Sequence, residues 1–275
     1  MNEEKNNTEK AWSRLYQRLE DDNLISDSTS NNRFRIITMV SAAAIIIIIS
    51  MISYFASYND NTATKEMYAQ DNTENSTLVT TLSDGSVVYI SKGGEIKCPV
   101  KFDDDKREIH MNGEAFFDVA KNASKPFIIT TANTVVRVVG TSFNIISNNE
   151  KTFQLSVRSG KVKVTDRITG KYVYVLPGQT VRNVNNKLYI NKCRDDNMLA
   201  RYTKDIRFKD EPLKNIVDVM NQMSSDTRIE LSPQINDRRI TVAFAGESTA
   251  QMARLISLAM GLRIENRGNV IYLSD

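Results

Sequence analysis

From Ile36 to Tyr58 the chain runs for 23 residues without a charge, and the run includes five consecutive isoleucines, Ile45 to Ile49. A helix needs about 20 apolar residues to cross the hydrocarbon of a bilayer. A core helix of a water-soluble protein normally keeps one polar side, and the isoleucine run has none. Tyr54 and Tyr58 stand at the far end, where aromatic rings favour the interface, while Arg33 and Arg35 flank the near end. The preceding segment is long and holds Glu20, Asp21 and Asp22, which argues against a cleaved signal peptide. The expectation is one retained span over 36–58. Positive flanks stay in the cytoplasm, so residues 1–35 are expected inside and the bulk outside.

The 36 basic and 33 acidic residues leave a net charge of only +3. No contiguous basic block stands out, so nucleic acid is not expected as a direct partner. Cys98 and Cys193 lie in neither a CxxC nor a metal-ligand spacing. An exported location permits a disulfide, but two thiols make no disulfide framework, and two half-buried thiols are the simpler reading.

Residues 1–35 are too few to bury a core of their own. They carry one helix, "TEKAWSRLYQRLEDD", with Thr8 read as its N-cap. Ala11, Trp12, Leu15, Tyr16 and Leu19 recur at the spacing of a single apolar stripe. With no other chain on that side of the membrane to cover it, the stripe is expected to dock in a groove on a partner. The mixed charges on the other face disfavour the membrane surface. Residues 59–77 are polar, rich in Asn and Thr, and read as a tether.

Over 78–193 the pattern changes to period two. "SVVYIS", "REIHMN", "FQLSVRSGKVKV" and "KYVYVL" alternate between turn signals such as Asp84-Gly85, Asn112-Gly113 and Ser159-Gly160. Such strands make an all-β domain, and a sandwich, a roll or a short solenoid satisfies the pattern equally. A polar joint near Arg194 to Met198 leads to a second, separable domain over 201–275, of order β-α-β-β-α-β-β. Pro212 opens its first helix; Ser248 or Thr249 caps the second and Gly261 closes it. Phe208-x-x-Glu211 and Phe244-x-x-Glu247 precede the two helices, and Arg-Ile-Glu follows each, which suggests an internal repeat.

No catalytic constellation assembles. His110 is the single histidine and no G-x-S-x-G elbow occurs. Asp103 to Asp105 lack the ligand spacing and closing Glu of a calcium loop, and there is no phosphate-binding or dinucleotide fingerprint. The chain reads as a binder without cofactor or metal.

"LSDGSVVYIS", followed by "REIHMNGEAFFDVAKNASKPFIITTANTVVRVVGTSFNIIS", resembles the FecR family of membrane-spanning anti-sigma factors. The shared features are Asp84-Gly85-Ser86, Gly113 to Val119, Pro126-Phe127 and Val138 to Asn144. "FKDEPLKNIVDVM" is similar to the family's ending, related to the small domain of secretins and TonB-dependent receptors. "AWSRLYQRLE" resembles the short cytoplasmic head of Bacteroidetes-type members. The chain departs at Tyr89-Ile90, where members read Leu-Asn, and at Arg201-Tyr202, where a Trp is common. The resemblance implies a single-pass inner-membrane protein whose head grips an extracytoplasmic-function sigma factor. Trp12, Leu15, Tyr16 and Leu19 are the residues expected to bind it. Outside the membrane it implies contact with the N-terminal signalling domain of a TonB-dependent transporter, and signalling through an intramembrane protease. Outside that family, a membrane-anchored glycan-binding or envelope scaffold module fits the same pattern.

Overall fold

The computed structural model describes residues 3–22, 46–54, 66–149, 152–192, 195 and 197–275. The chain divides into two units, 1–64 and 65–275. In the first, helix α1 spans Glu3–Asp21 and residues 46–54 form a second helical segment, α2. Helix α1 begins five residues before Thr8, so Thr8 lies inside it and does not cap it. Of the expected span, 36–45 and 55–58 lie outside the described residues. Among the described residues no helix is long and apolar enough to cross a membrane.

The second unit is mostly β. Its centre is β5 (Arg107–Asp118), twelve residues long, which belongs to two sheets in turn. Its first half pairs with β4 (Glu95–Pro99) and β6 (Phe127–Thr130). Beyond Gly113 it pairs with β3 (Val87–Ile90) and β8 (Ser142–Asn149). Gly113 is required at this corner: its φ is +95°, and a Cβ would stand 2.5 Å from Gly94 Cα. The first sheet extends from β4 to β1 (Met67–Asp71), and from β6 through β7 (Thr134–Val138) and β10 (Val162–Asp166) to β11 (Tyr172–Val175). The second extends from β8 through β9 (Thr152–Ser159) and β12 (Gln179–Val184) to β13 (Lys187–Lys192). From β3 it continues through β2 (Thr77–Thr81) to β14 (Asp205–Pro212) and β16 (Arg239–Ala245). The result is one near-closed, barrel-like sheet of 15 strands among the described residues. The strand pattern therefore takes the form of a near-closed, barrel-like sheet.

The C-terminal elements follow the order expected from periodicity. After the short helix α3 (Ala200–Thr203) and β14 come α4 (Leu213–Met223), β15 (Arg228–Leu231), β16, α5 (Thr249–Met260), and the hairpin β17 (Arg263–Arg267) and β18 (Val270–Ser274). Ser248 caps α5 through a capping box with Gln251, and Gly261 ends it at φ +67°. The two repeat motifs meet in space: Phe208 and Phe244 lie on adjacent strands with ring centroids 6.4 Å apart.

Two expectations are corrected. The stretch read as a tether contains β1, an edge strand held on β4. Asn72, just after it, is buried and donates to the carbonyls of Ser76 and Ile90, so this polar segment is anchored by hydrogen bonds rather than apolar burial. The second correction concerns the domain boundary. β14 pairs in parallel with β2, aligning Phe208 with Val79. Strands β2, β3 and β5 send alternate side chains into two cores. Leu78, Val88, Ile90 and Phe117 fill the interior of the barrel-like sheet. Val79, Val87, Tyr89 and Phe116 pack beneath α4 and α5 with Ile216, Met220 and Ile256. Met198 and Tyr202, in or beside the expected polar joint, are buried in that second core. Residues 201–275 thus share a core with β2, β3 and β5 and belong with them to the compact unit 65–275.

Candidate partner-binding surfaces

Helix α1 presents Trp12, Leu15, Tyr16 and Leu19 at offsets of three, four and seven residues, which places all four on one face. Trp12 is 58 % exposed, Leu15 46 % and Tyr16 63 %, while Leu19 is half-buried. The structure thus places the four expected site residues on one face and leaves three of them, Trp12, Leu15 and Tyr16, exposed. Such a face offers aromatic and leucine anchors to a groove. In α2 the isoleucines Ile46 to Ile49, with Met51 and Ile52, are likewise exposed.

The polar residues of the Asp-Gly-Ser, Gly-Glu-Ala and Gly-Thr-x-Phe-Asn motifs build structure. Asp84 Oδ1 accepts from the Ser86 amide, and its Oδ2 lies 2.6 Å from Arg107 Nη1. The Arg107 side chain is 1 % exposed. It also donates to the carbonyls of Ala120 and Lys125, and lies over the Phe127 ring. Glu114 and Asn144 both bond the hydroxyl of Tyr202. Phe117 stacks on Phe143 at 5.4 Å, and Phe127 packs edge-on to Phe102. Sequence reasoning read Asp84-Gly85 and Asn112-Gly113 as turns, but it missed the roles of Asp84, Glu114 and Asn144. The buried partners Arg107 and Tyr202 are far away in sequence and signal nothing locally.

A cleft of about 710 Å³ opens where β1 and the end of β2 face the start of α4, with Tyr68, Thr81, Lys209, Lys214 and Arg239 in its walls. Glu211 lines it and is itself 5 % exposed. Burial raises its carboxyl above the usual range, opposed by bonds from Asn215 and the Thr81 amide. Nearby, burial also raises the Cys98 thiol, which is free and bonded with Tyr68; Cys193 lies outside the described residues. His110 is exposed on β5. Among the described residues no group of three or more His, Cys, Asp or Glu is placed to hold a metal ion.

Residues 71–163, which hold these motifs, match the family of FecR proteins. No curated protein matches the chain. Two crystal structures of a provisionally assigned anti-sigma factor from Parabacteroides distasonis are similar to it. The first is 26 % identical and covers 76 % of this chain and 99 % of its own, with a TM-score of 0.47. The second is 27 % identical over 75 % and 98 %, with the same TM-score.

Proposed function

We propose that this chain, which carries a FecR-family domain at residues 71–163, is a membrane-anchored anti-sigma factor. It relays the occupancy of an outer-membrane TonB-dependent transporter to a cytoplasmic extracytoplasmic-function sigma factor. One observation carries the reading. An uncovered Trp-Leu-Tyr face on α1 precedes an apolar stretch in sequence, and the FecR-family domain follows it. A binding helix and a β domain on opposite sides of an apolar span have no use for each other except as the two ends of a relay. The exposed isoleucines of α2 suit lipid contact, and Arg33 and Arg35 suit an N-terminus held in the cytoplasm. The chain then sits once through the inner membrane. Its C-terminal elements meet the transporter's N-terminal signalling domain, and an intramembrane protease releases the head.

The test has two arms. A reporter active only outside the cytoplasm is fused after Asp275 or before Arg33; the reading requires activity in the first position only. Affinity capture with the full chain should retrieve a sigma factor, and deleting 1–35 should abolish retrieval while the protein stays in the membrane. Capture unchanged by that deletion would return the chain to an anchored envelope module.

A further inference from the structure

The charge of the β unit is concentrated in one place. Between Arg158 and Lys192 the chain carries eight Lys or Arg and one acid, Asp166. Asp166 is fully buried and bonded to Thr169 and Asn183, so it faces no partner. These residues alternate with apolar ones along three hairpins, so they form no block in sequence, and the fold gathers them.

Lys161, Lys163 and Lys171 among them lie on and beside β10 and β11, where the barrel-like sheet fails to close. β11 ends one sheet, paired only with β10, and β13 ends the other, paired only with β12; the two edges meet over a few residues at most and are not hydrogen-bonded as a pair. Where their turns part, a cleft of about 800 Å³ opens beside Arg167, Ile168 and Val184. Val173 and Leu188 cover the core there only in part. Tyr172, Tyr174 and Leu176 on one side and Tyr189 and Ile190 on the other are exposed. Lys163 Nζ lies 4.1 Å over the Tyr172 ring and Lys161 Nζ 4.0 Å over the Tyr174 ring. Arg137, Lys163 and Tyr174 stand directly opposite one another across β7, β10 and β11.

Lysines alone are the usual means of blunting a free strand edge. Exposed tyrosines, leucine and isoleucine do the reverse, because they add adhesive area that a blunted edge avoids. We infer that this seam docks an extended, acidic segment of a partner protein, added as a strand on β11. The unpaired backbone of β11 supplies main-chain hydrogen bonds, and alternate side chains of the segment meet the tyrosines. Its carboxylates meet Lys161, Lys163 and Lys171, and the one acid between Arg158 and Lys192, Asp166, is buried away from them. An anionic membrane would use the charge but not the strand edge, so the edge favours a peptide. The inference does not rest on the sigma-factor reading.

Fluorescence anisotropy on the full chain in zwitterionic detergent tests it, with a labelled peptide of about ten alternating glutamates and threonines as the probe. Saturable binding is expected, and none to the lysine-threonine counterpart. N-methylating alternate backbone amides of the probe should weaken binding by about tenfold or more, since the strand can no longer pair. Lys161→Glu with Lys163→Glu should weaken it as much, without changing the circular dichroism. Equal binding of the N-methylated probe would overturn the strand addition. So would the absence of saturable binding, or binding of phosphatidylglycerol vesicles through the same lysines in place of the peptide.

Discussion

The hydroxyl of Tyr202 donates to Glu114 Oε1 at 2.5 Å and accepts from the side-chain amide of Asn144. Glu114 and Asn144 belong to two different FecR motifs, and Tyr202 belongs to the short helix, Ala200–Thr203, that leads into the C-terminal elements. The ring packs 5.7 Å from Phe116. Burial and the Glu114 acceptor raise the phenol above its usual range, so it stays a donor at any physiological pH. Tyr202→Phe keeps the ring and removes the hydroxyl, leaving both partners short of a bond. The expected loss is about 1–3 kcal/mol in urea unfolding. A midpoint equal to that of the unmodified chain would show that this bond does not join the two parts.

Deleting Arg201 to Asp275 should unfold or aggregate the rest of the β unit. The cut removes β14 from β2 and uncovers Val79, Val87, Tyr89 and Phe116, which are at most 4 % exposed in the intact chain. A contiguous apolar patch of that kind is a liability on a free protein. Limited proteolysis checks this: a truncated chain as resistant as the parent would restore two separable domains.

Asp84→Asn should destabilise the chain by about 3–5 kcal/mol, because it leaves the guanidinium of Arg107 buried without its counter-charge. Adding Arg107→Met should recover part of the loss, since an apolar side chain needs no partner there. Chemical denaturation of the single and double variants separates the outcomes. A double variant less stable than Asp84→Asn would show that Arg107 contributes chiefly through Ala120 and Lys125.

Glu211 ties stability to pH. Its folded pKa is raised by burial, so the folded state favours the neutral acid. The stability linked to that proton is present below the usual carboxylate range and is lost as pH rises through the raised value. Glu211→Gln keeps an acceptor for Asn215 and the Thr81 amide but never ionises. The variant should therefore melt above the unmodified chain at about pH 8 and close to it at about pH 4. The opposite order in thermal midpoints would mean that Arg239 holds the carboxylate charged.

Much of this fold is legible where one face of an element is buried and the other is wet. Phe153 and Leu155 are buried with half-exposed Gln154 between them, and Ser248 and Gly261 mark the ends of α5 in plain chemistry. Reading fails where both faces are covered. All four residues of β3 are buried because it divides two cores, so the alternation read in "SVVYIS" did not show that its second face packs beneath the C-terminal helices. It fails also at β1, whose burial pattern is largely exposed and whose stability comes from backbone pairing and Asn72. The head was readable because a helical stripe needs no tertiary information. The seam was not, because Lys163 and Tyr174 become neighbours only through strand register.

The head yields the sharpest test of function. A single helix in water is marginal, so α1 gains order when its face is covered. Its anchors are Trp12, Leu15 and Tyr16, all exposed, with half-buried Leu19 at the end of the stripe. Truncating a buried aromatic anchor commonly costs about 2 kcal/mol or more, which is roughly thirty-fold in affinity. Trp12→Ala or Leu15→Ala should therefore abolish sigma-factor capture by the full chain, with little effect on its amount in the membrane. Lys10→Ala lies off the stripe and should change capture little. If the Trp12→Ala chain retrieves as much sigma factor as the parent, the stripe does not dock in a groove, and its apolar area belongs on the membrane surface.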